Sequence, residues 1–291
     1  MKTYKAIWLQ GVTCNGNSHS FLNYPHLNHL LKNIEFLFHP SLPSKYDHLN
    51  FDERADILIV EGGIKEGFLR DGKNFIELFQ KFAFRAKFIV CVGSCAVYGG
   101  IFKEYDDNIS GVLFDRDKRS FFYEEFVSKA VNIPGCPANG EWIGYVLSSI
   151  ILDKEILLDR FKRPKEIFAF SVHSGCDKNE YFEWKVDAKS FGEKEGCLFY
   201  EQGCQAPFTH GDCNKILWNE VNSKTRAGMP CIGCTEPDFP KKNLFKTKTY
   251  MGIPANLPLG VSKRAYLTLT GIAKSFKIDR LNRNIFEDEK D

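Results

Sequence analysis

Short apolar runs alternate with longer amphipathic ones through the first half of the chain. Residues 6–9, 35–38, 56–60 and 88–92 are apolar or β-rich, and each run ends near Gly, Pro or Ser, which predicts four strands. Helical patterns fall roughly over 20–33, 73–86 and 141–154. In the second of these, Phe75, Leu78, Phe79 and Phe82 recur at helix spacing and make one apolar face. Strand–helix alternation of this kind predicts an α/β domain, a doubly wound parallel sheet covered on both faces, over residues 1–154. Such sheets place their sites outside the carboxyl ends of the strands. Three cysteines are expected there, in three separate loops at one sheet edge: Cys14 after the first strand, Cys95 after the fourth, and Cys136 in the loop 133–137.

The pattern changes at about residue 155. From 155 to 291 loops dominate, Gly, Pro and Cys cluster, and long periodicity disappears. So long a segment with little regular structure needs something besides a conventional core to hold it, and metal crosslinks would do so because their binding free energy becomes folding free energy. The final seven residues, IFEDEKD, read as a charged, frayed tail.

Composition narrows the classes. The chain has 291 residues, with 39 Lys and Arg against 37 Asp and Glu, a net charge of +2, so no broad basic field points to nucleic acid. The longest nearly apolar stretch, WIGYVLSSIIL, is too short to span a bilayer and reads as a buried helix. The start, MKTYKAIWLQG, runs into the first strand without a leader of about 15–30 residues, so a cytoplasmic location is the expectation. Ten cysteines in a reducing compartment then point to metal or redox chemistry rather than disulfides.

Six of those ten fall between 176 and 234. His173-Ser-Gly-Cys176 is an H-x2-C pair, Cys197, Cys204 and Cys213 follow, and Cys231-Ile-Gly-Cys234 is a C-x2-C turn that can turn two thiolates toward one metal or cluster. A zinc site on His210, Cys213, Cys231 and Cys234 is one alternative, and a redox dithiol at Cys231 and Cys234 another. Neither uses Cys176, Cys197 and Cys204, whereas iron–sulfur clusters use them all. In the first half, Ile133-Pro-Gly-Cys136-Pro surrounds one thiol with backbone-fixing residues and leaves neighbouring N–H groups free to bond sulfur. Cys91, within Ile89-Val-Cys-Val92, reads as core. Glu61, at the end of the third strand, reads as a capping or loop-bonding group, with proton movement as the alternative. Lys241, Lys242, Lys246 and Lys248 read as a solvated face, or else a docking site for an acidic electron partner.

Seven segments, in order, resemble the small, electron-transferring subunit of nickel–iron hydrogenases: WLQGVTCNGNSHSFLN, IVEGG, VGSCAVYGG, NIPGCPANGEW, VHSGC, CLFYEQGCQAP and AGMPCIGCTEPDF. PGCP is shared with a component of respiratory complex I, but that relative lacks the His173-to-Cys234 region. The resemblance implies a flavodoxin-like domain followed by an irregular cluster-binding domain, and three iron–sulfur clusters. Cys14, Cys95 and Cys136 match the proximal set. Cys213, Cys231 and Cys234 match a medial 3Fe–4S set. His173, Cys176, Cys197 and Cys204 match a distal 4Fe–4S set with histidine as one ligand. Where many members carry proline and some a fourth cysteine, this chain has Lys224, an ammonium that could tune the medial potential.

One departure stands out. The family's first motif is C-x-G-C, and here it reads Cys14-Asn-Gly-Asn17. Asparagine is a poorer iron ligand than thiolate. The proximal cluster is therefore expected as 4Fe–4S completed by Asn17 or water, or as 3Fe–4S. The implied partners are a large subunit with the nickel–iron site and a soluble electron acceptor. The implied activity is H2 oxidation or proton reduction, with a hydrogen-sensing complex of little turnover as the alternative.

Overall fold

In the computed structural model, which describes residues 3–50, 52–242, 244–250, 253–255, 257, 262 and 264–268, five parallel strands form one sheet. They are β1 (Tyr4–Gln10), β2 (Ile34–Phe38), β3 (Ile57–Glu61), β4 (Phe88–Val92) and β5 (Ala130–Ile133), in the spatial order β2-β1-β3-β4-β5. This is the doubly wound order of flavodoxin-like sheets, with its switch point between β1 and β3. The expected charged tail lies outside the described residues.

Alternation along each strand decides which face a side chain covers. Ile7, Leu9, Leu58, Val60, Ile89 and Cys91 pack on one face with Phe75, Phe79 and Phe82 of helix α3 (Phe75–Arg85). Ala6, Trp8, Ile57, Ile59, Val90 and Val92 pack on the other, with Phe21 of α1 (Gly16–Leu22) and Trp142, Ile143, Val146 and Leu147 of α5 (Gly140–Ile151). Asn74 and Asn139 start α3 and α5 by accepting hydrogen bonds from the backbone N–H groups of Ile76 and Glu141, at 2.9 and 3.1 Å.

Three sequence expectations change. The single helix over 20–33 is two short ones, α1 and α2 (Leu27–Leu31), because Pro25 has no N–H and restricts the residue before it. The edge strand β5 is an addition to the four expected strands: it is four residues long and carries Asn132, whose side chain donates to the Phe161 carbonyl at 2.8 Å. Cys95 sits on a short helix, α4 (Ser94–Tyr98), rather than in a loop.

Beyond the sheet, regular structure thins to helical turns such as Lys165–Phe168 and Asn179–Glu183 and the 3-10 turns Val172–Gly175 and Ala206–Phe208. Phe161, Ile167 and Phe168 still pack against the sheet domain. After them a small separate core forms from Val172, Ala188, Leu198, Phe199 and Ala206 with Cys197, Cys204 and Cys231. Tyr181, Phe182, Tyr200 and Phe208 pack against it, and cysteines are part of its wall.

Candidate metal centres

Cys14 lies in an exposed loop between β1 and α1, Cys95 in the first turn of α4, and Cys136 just after β5. All three stand at the carboxyl edge of the sheet. Burial pushes the Cys95 thiol up to about 11, with Cys14 and Glu61 adding to it while the N–H groups of Ile101 and Phe102 oppose. Cys136 is pushed up to about 12 by burial, and then by Cys234, Cys95 and Cys14. At Gly100, with φ at +56°, an added Cβ would lie 2.7 Å from the Cys95 sulfur, so the backbone reaches the thiol only because no side chain intervenes.

A second set gathers beyond it. Burial raises the Cys213 thiol, and Cys234 and Cys231 raise it further. Cys231 is raised by burial, then by Cys204 and Cys234, with the Gly233 N–H and the Thr209 hydroxyl opposing. Cys213, Cys231 and Cys234 line one cavity together with Pro137, Trp142 and Lys224.

The third set is Cys176, Cys197 and Cys204. Burial pushes Cys197 up to about 12, and Cys176 adds to it; Cys204 is also pushed up to about 12 by burial, with Cys197 and Cys176 adding. Two backbone donors point at these sulfurs: Phe199 N–H to Cys197 at 3.4 Å and Cys231 N–H to Cys204 at 3.3 Å. His173 is half-buried in the 3-10 turn before Cys176, with its ring centroid 4.5 Å from that of Phe182. Burial lowers its pKa, which favours the neutral imidazole that metals bind.

The three sets adjoin in order. Cys234 of the second raises Cys136 of the first, and Cys204 of the third raises Cys231 of the second. Buried thiols crowded in this way resist ionising unless a cation compensates, since a thiolate there is both desolvated and repelled by its neighbours. Sulfur donors, N–H groups aimed at sulfur and an enclosed seat together fit iron–sulfur clusters. Among the described residues no three His, Cys, Asp or Glu converge on a single-ion position. That holds for the zinc grouping, in which His210 is instead 3.0 Å from Glu236. It equally holds for the three thiol sets, and a cluster of several irons spreads its ligands wider than one ion does.

Asn17 is buried, and its side chain is already engaged in the fold. Its Oδ1 accepts from the Ala138 N–H at 2.8 Å, its Nδ2 donates to Glu61 at 3.4 Å, and the amide presses on Gly93, where an added Cβ would meet Nδ2 at 2.3 Å. Glu61 is 0% exposed and accepts from Trp8 Nε1 at 2.9 Å, Asn17 N–H at 2.9 Å, Ser18 N–H at 3.3 Å and the Ser18 hydroxyl. It bonds the Cys14 loop to the sheet edge. Cys91 is core, opposite Val60 and Asn132. Lys241 pairs with Asp238 at 2.9 Å, and Lys242, Lys246 and Lys248 are exposed.

Sequence reasoning missed how the two halves are tied. The Ser94 hydroxyl donates to the Cys234 carbonyl, Arg163 to the Thr235 carbonyl at 3.0 Å, Arg116 to the Phe239 carbonyl, and Trp142 Nε1 to Asp212 at 2.6 Å. These bonds seat the second thiol set against the first.

Comparison with known proteins finds relatives for both halves of the chain. Residues 168–246 match the family described as the C-terminal part of the NiFe/NiFeSe hydrogenase small subunit, and residues 14–150 match the 20 kDa subunit of NADH ubiquinone oxidoreductase. The F420 non-reducing hydrogenase I small subunit of Methanosarcina mazei is 33% identical over 285 residues, covering 81% of this chain and 73% of that one. A reduced, active NiFeSe hydrogenase from Desulfomicrobium baculatum superposes with a TM-score of 0.71 at 29% identity, over 85% of this chain and all of that one. An actinobacterial-type NiFe-hydrogenase from Ralstonia eutropha shares the fold, with a TM-score of 0.74 at 22% identity over 98% of this chain and 92% of that one. The chain belongs to the small-subunit family of nickel–iron hydrogenases, oxidoreductase complexes whose active site is carried by the large subunit.

Proposed function

We propose that this chain is the electron relay of its hydrogenase, holding three iron–sulfur clusters between the large subunit's nickel–iron site and a soluble acceptor. Residues 1–154 would hold the proximal cluster on Cys14, Cys95 and Cys136. Residues 155–291 would hold a medial 3Fe–4S cluster on Cys213, Cys231 and Cys234, and a distal 4Fe–4S cluster on His173, Cys176, Cys197 and Cys204. The observation that carries this reading is that the thiol sets adjoin in order, with Cys213, Cys231 and Cys234 around one cavity, Cys234 near enough to act on Cys136 and Cys204 near enough to act on Cys231. When bound, the clusters supply one-electron redox chemistry. The chain's own residues order the seats, exclude water through burial, and aim N–H donors at sulfur.

At the proximal seat, Asn17 Oδ1 uses one lone pair on Ala138 and has a second to offer. The proximal cluster is either 4Fe–4S with a non-cysteine ligand or 3Fe–4S. The large subunit is the partner that would cover this edge, where Cys14 is exposed. No helix among the described residues is long and apolar enough to cross a membrane. A cytoplasmic complex is part of this reading, and cell fractionation tests it.

Purification of the chain with its large subunit, followed by hydrogen-dependent dye reduction, tests the relay. Sustained reduction that stops when Cys213→Ser disrupts the middle seat supports it. Intact clusters with negligible turnover would instead place the complex among hydrogen sensors.

A further inference from the structure

Lys224 is half-buried and lies beside the second thiol set. Its position is fixed from both sides: the Ser223 and Thr225 hydroxyls both donate to Asn214 Oδ1, at 2.5 and 2.7 Å, and Asn214 is 3% exposed and adjoins Cys213. The Met229 N–H bonds the Lys224 carbonyl at 2.8 Å, and Nζ lies 5.8 Å from the centroid of Trp218. The side chain lines the cavity shared by Cys213, Cys231 and Cys234, and its charge reaches Cys136 as well as Cys213. Among the described residues no carboxylate stands within ion-pair distance of it. The acidic group facing Cys213 is Asp212, whose carboxylate accepts from Trp142.

A half-buried ammonium without a carboxylate partner has lost hydration and needs an anion. A cluster held by three thiolates is anionic, so the seat that Lys224 lines would provide that partner. We propose that Lys224 is a charge-setting residue shared by the medial and proximal seats, raising the reduction potential of the medial cluster most and that of the proximal cluster less. The proposal rests on the relay reading above. A fixed positive charge stabilises the extra electron of the reduced cluster, and removing Lys224 takes away the cation that offsets Asp212 at Cys213.

The test is a redox titration of the purified two-subunit complex, followed by electron paramagnetic resonance. Lys224→Met should shift the medial one-electron equilibrium about tenfold toward the oxidised form, a fall of about 59 mV. Lys224→Arg keeps the charge and should stay close to wild type, and Lys224→Gln should behave as Met does and serves if the Met variant does not assemble. An unchanged potential in the neutral variants overturns the proposal, as does an equal fall in the Arg variant, which would make the effect one of packing. A wild-type complex with no medial cluster signal overturns the relay reading itself, and is told apart because it appears before any substitution is made.

Discussion

Asn17 puts a neutral amide where the family's first motif has a second thiolate, and the fold uses both ends of that amide. Its oxygen takes the Ala138 N–H and its nitrogen reaches Glu61, so it ties the Cys14 loop to the Cys136 loop. Asn17→Cys is expected to convert the proximal cluster into a four-thiolate 4Fe–4S cluster of lower potential, because an added negative charge disfavours reduction. It should also lower the stability of the complex by about 1–3 kcal/mol, since a buried N–H loses its acceptor. Spectroscopy of the reduced protein checks the first effect and a melting curve the second. That a thiolate is missing at position 17 was legible from the sequence; the work its replacement does was not, because Ala138 is 121 residues away.

His39 gives the protein an acid sensitivity at the same scale. It is 4% exposed among Trp8, Phe21 and Phe36, and its Nδ1 accepts from the Ser41 and Leu42 N–H groups, both at 3.0 Å, which requires the neutral ring. Burial lowers its pKa from 6.5 to about 4. Between those values the unfolded chain binds a proton that the folded chain refuses, so stability is lost as pH falls from about 6.5 to 4, by about 3 kcal/mol in all. Urea midpoints of the complex should fall over that window, and His39→Asn, which keeps an acceptor but does not titrate, should flatten the fall.

Elements place the thiols, and their carboxyl ends do most of the work. β1, β4 and β5 deliver Cys14, Cys95 and Cys136 to one edge, as the strand–helix alternation implied. The helix carrying Cys95 was not legible, since five residues followed by two glycines leave no periodicity to read. Those glycines matter to the seat. Gly100→Ala would place a Cβ 2.7 Å from both the Cys95 sulfur and its backbone nitrogen, at a φ that disfavours any side chain. The expected outcome is loss of the proximal cluster with the other two retained, read as iron content and as the missing spectroscopic component. Full retention of all three would show that Cys95 tolerates displacement.

On the scale of the whole molecule, a conventional two-faced α/β domain supports a loop-rich half whose small core includes cysteine side chains. The first half was readable because alternating apolar positions encode its sheet faces. The second was readable mainly through ligand spacing, and its docking was hidden because hydroxyl and guanidinium donors to distant carbonyls, Ser94 to Cys234 and Arg163 to Thr235, leave no local pattern. Arg163 is almost fully buried, and its pairing with Asp159 at 2.8 Å and Glu236 at 3.3 Å holds the Cys234 loop beside the sheet edge. With that contact in place the three thiol sets lie in sequence.

The central claim is that those sets hold three separate clusters in one relay. Mössbauer and electron paramagnetic resonance spectra of the anaerobically purified complex, combined with iron and sulfide analysis, test it most directly. The account predicts three distinguishable iron–sulfur components: a 3Fe–4S signal from the medial seat, a histidine-ligated 4Fe–4S cluster abolished selectively by Cys197→Ser, and a proximal component without four thiolates. Zinc in place of iron, or fewer than three components in a fully loaded complex, would contradict it.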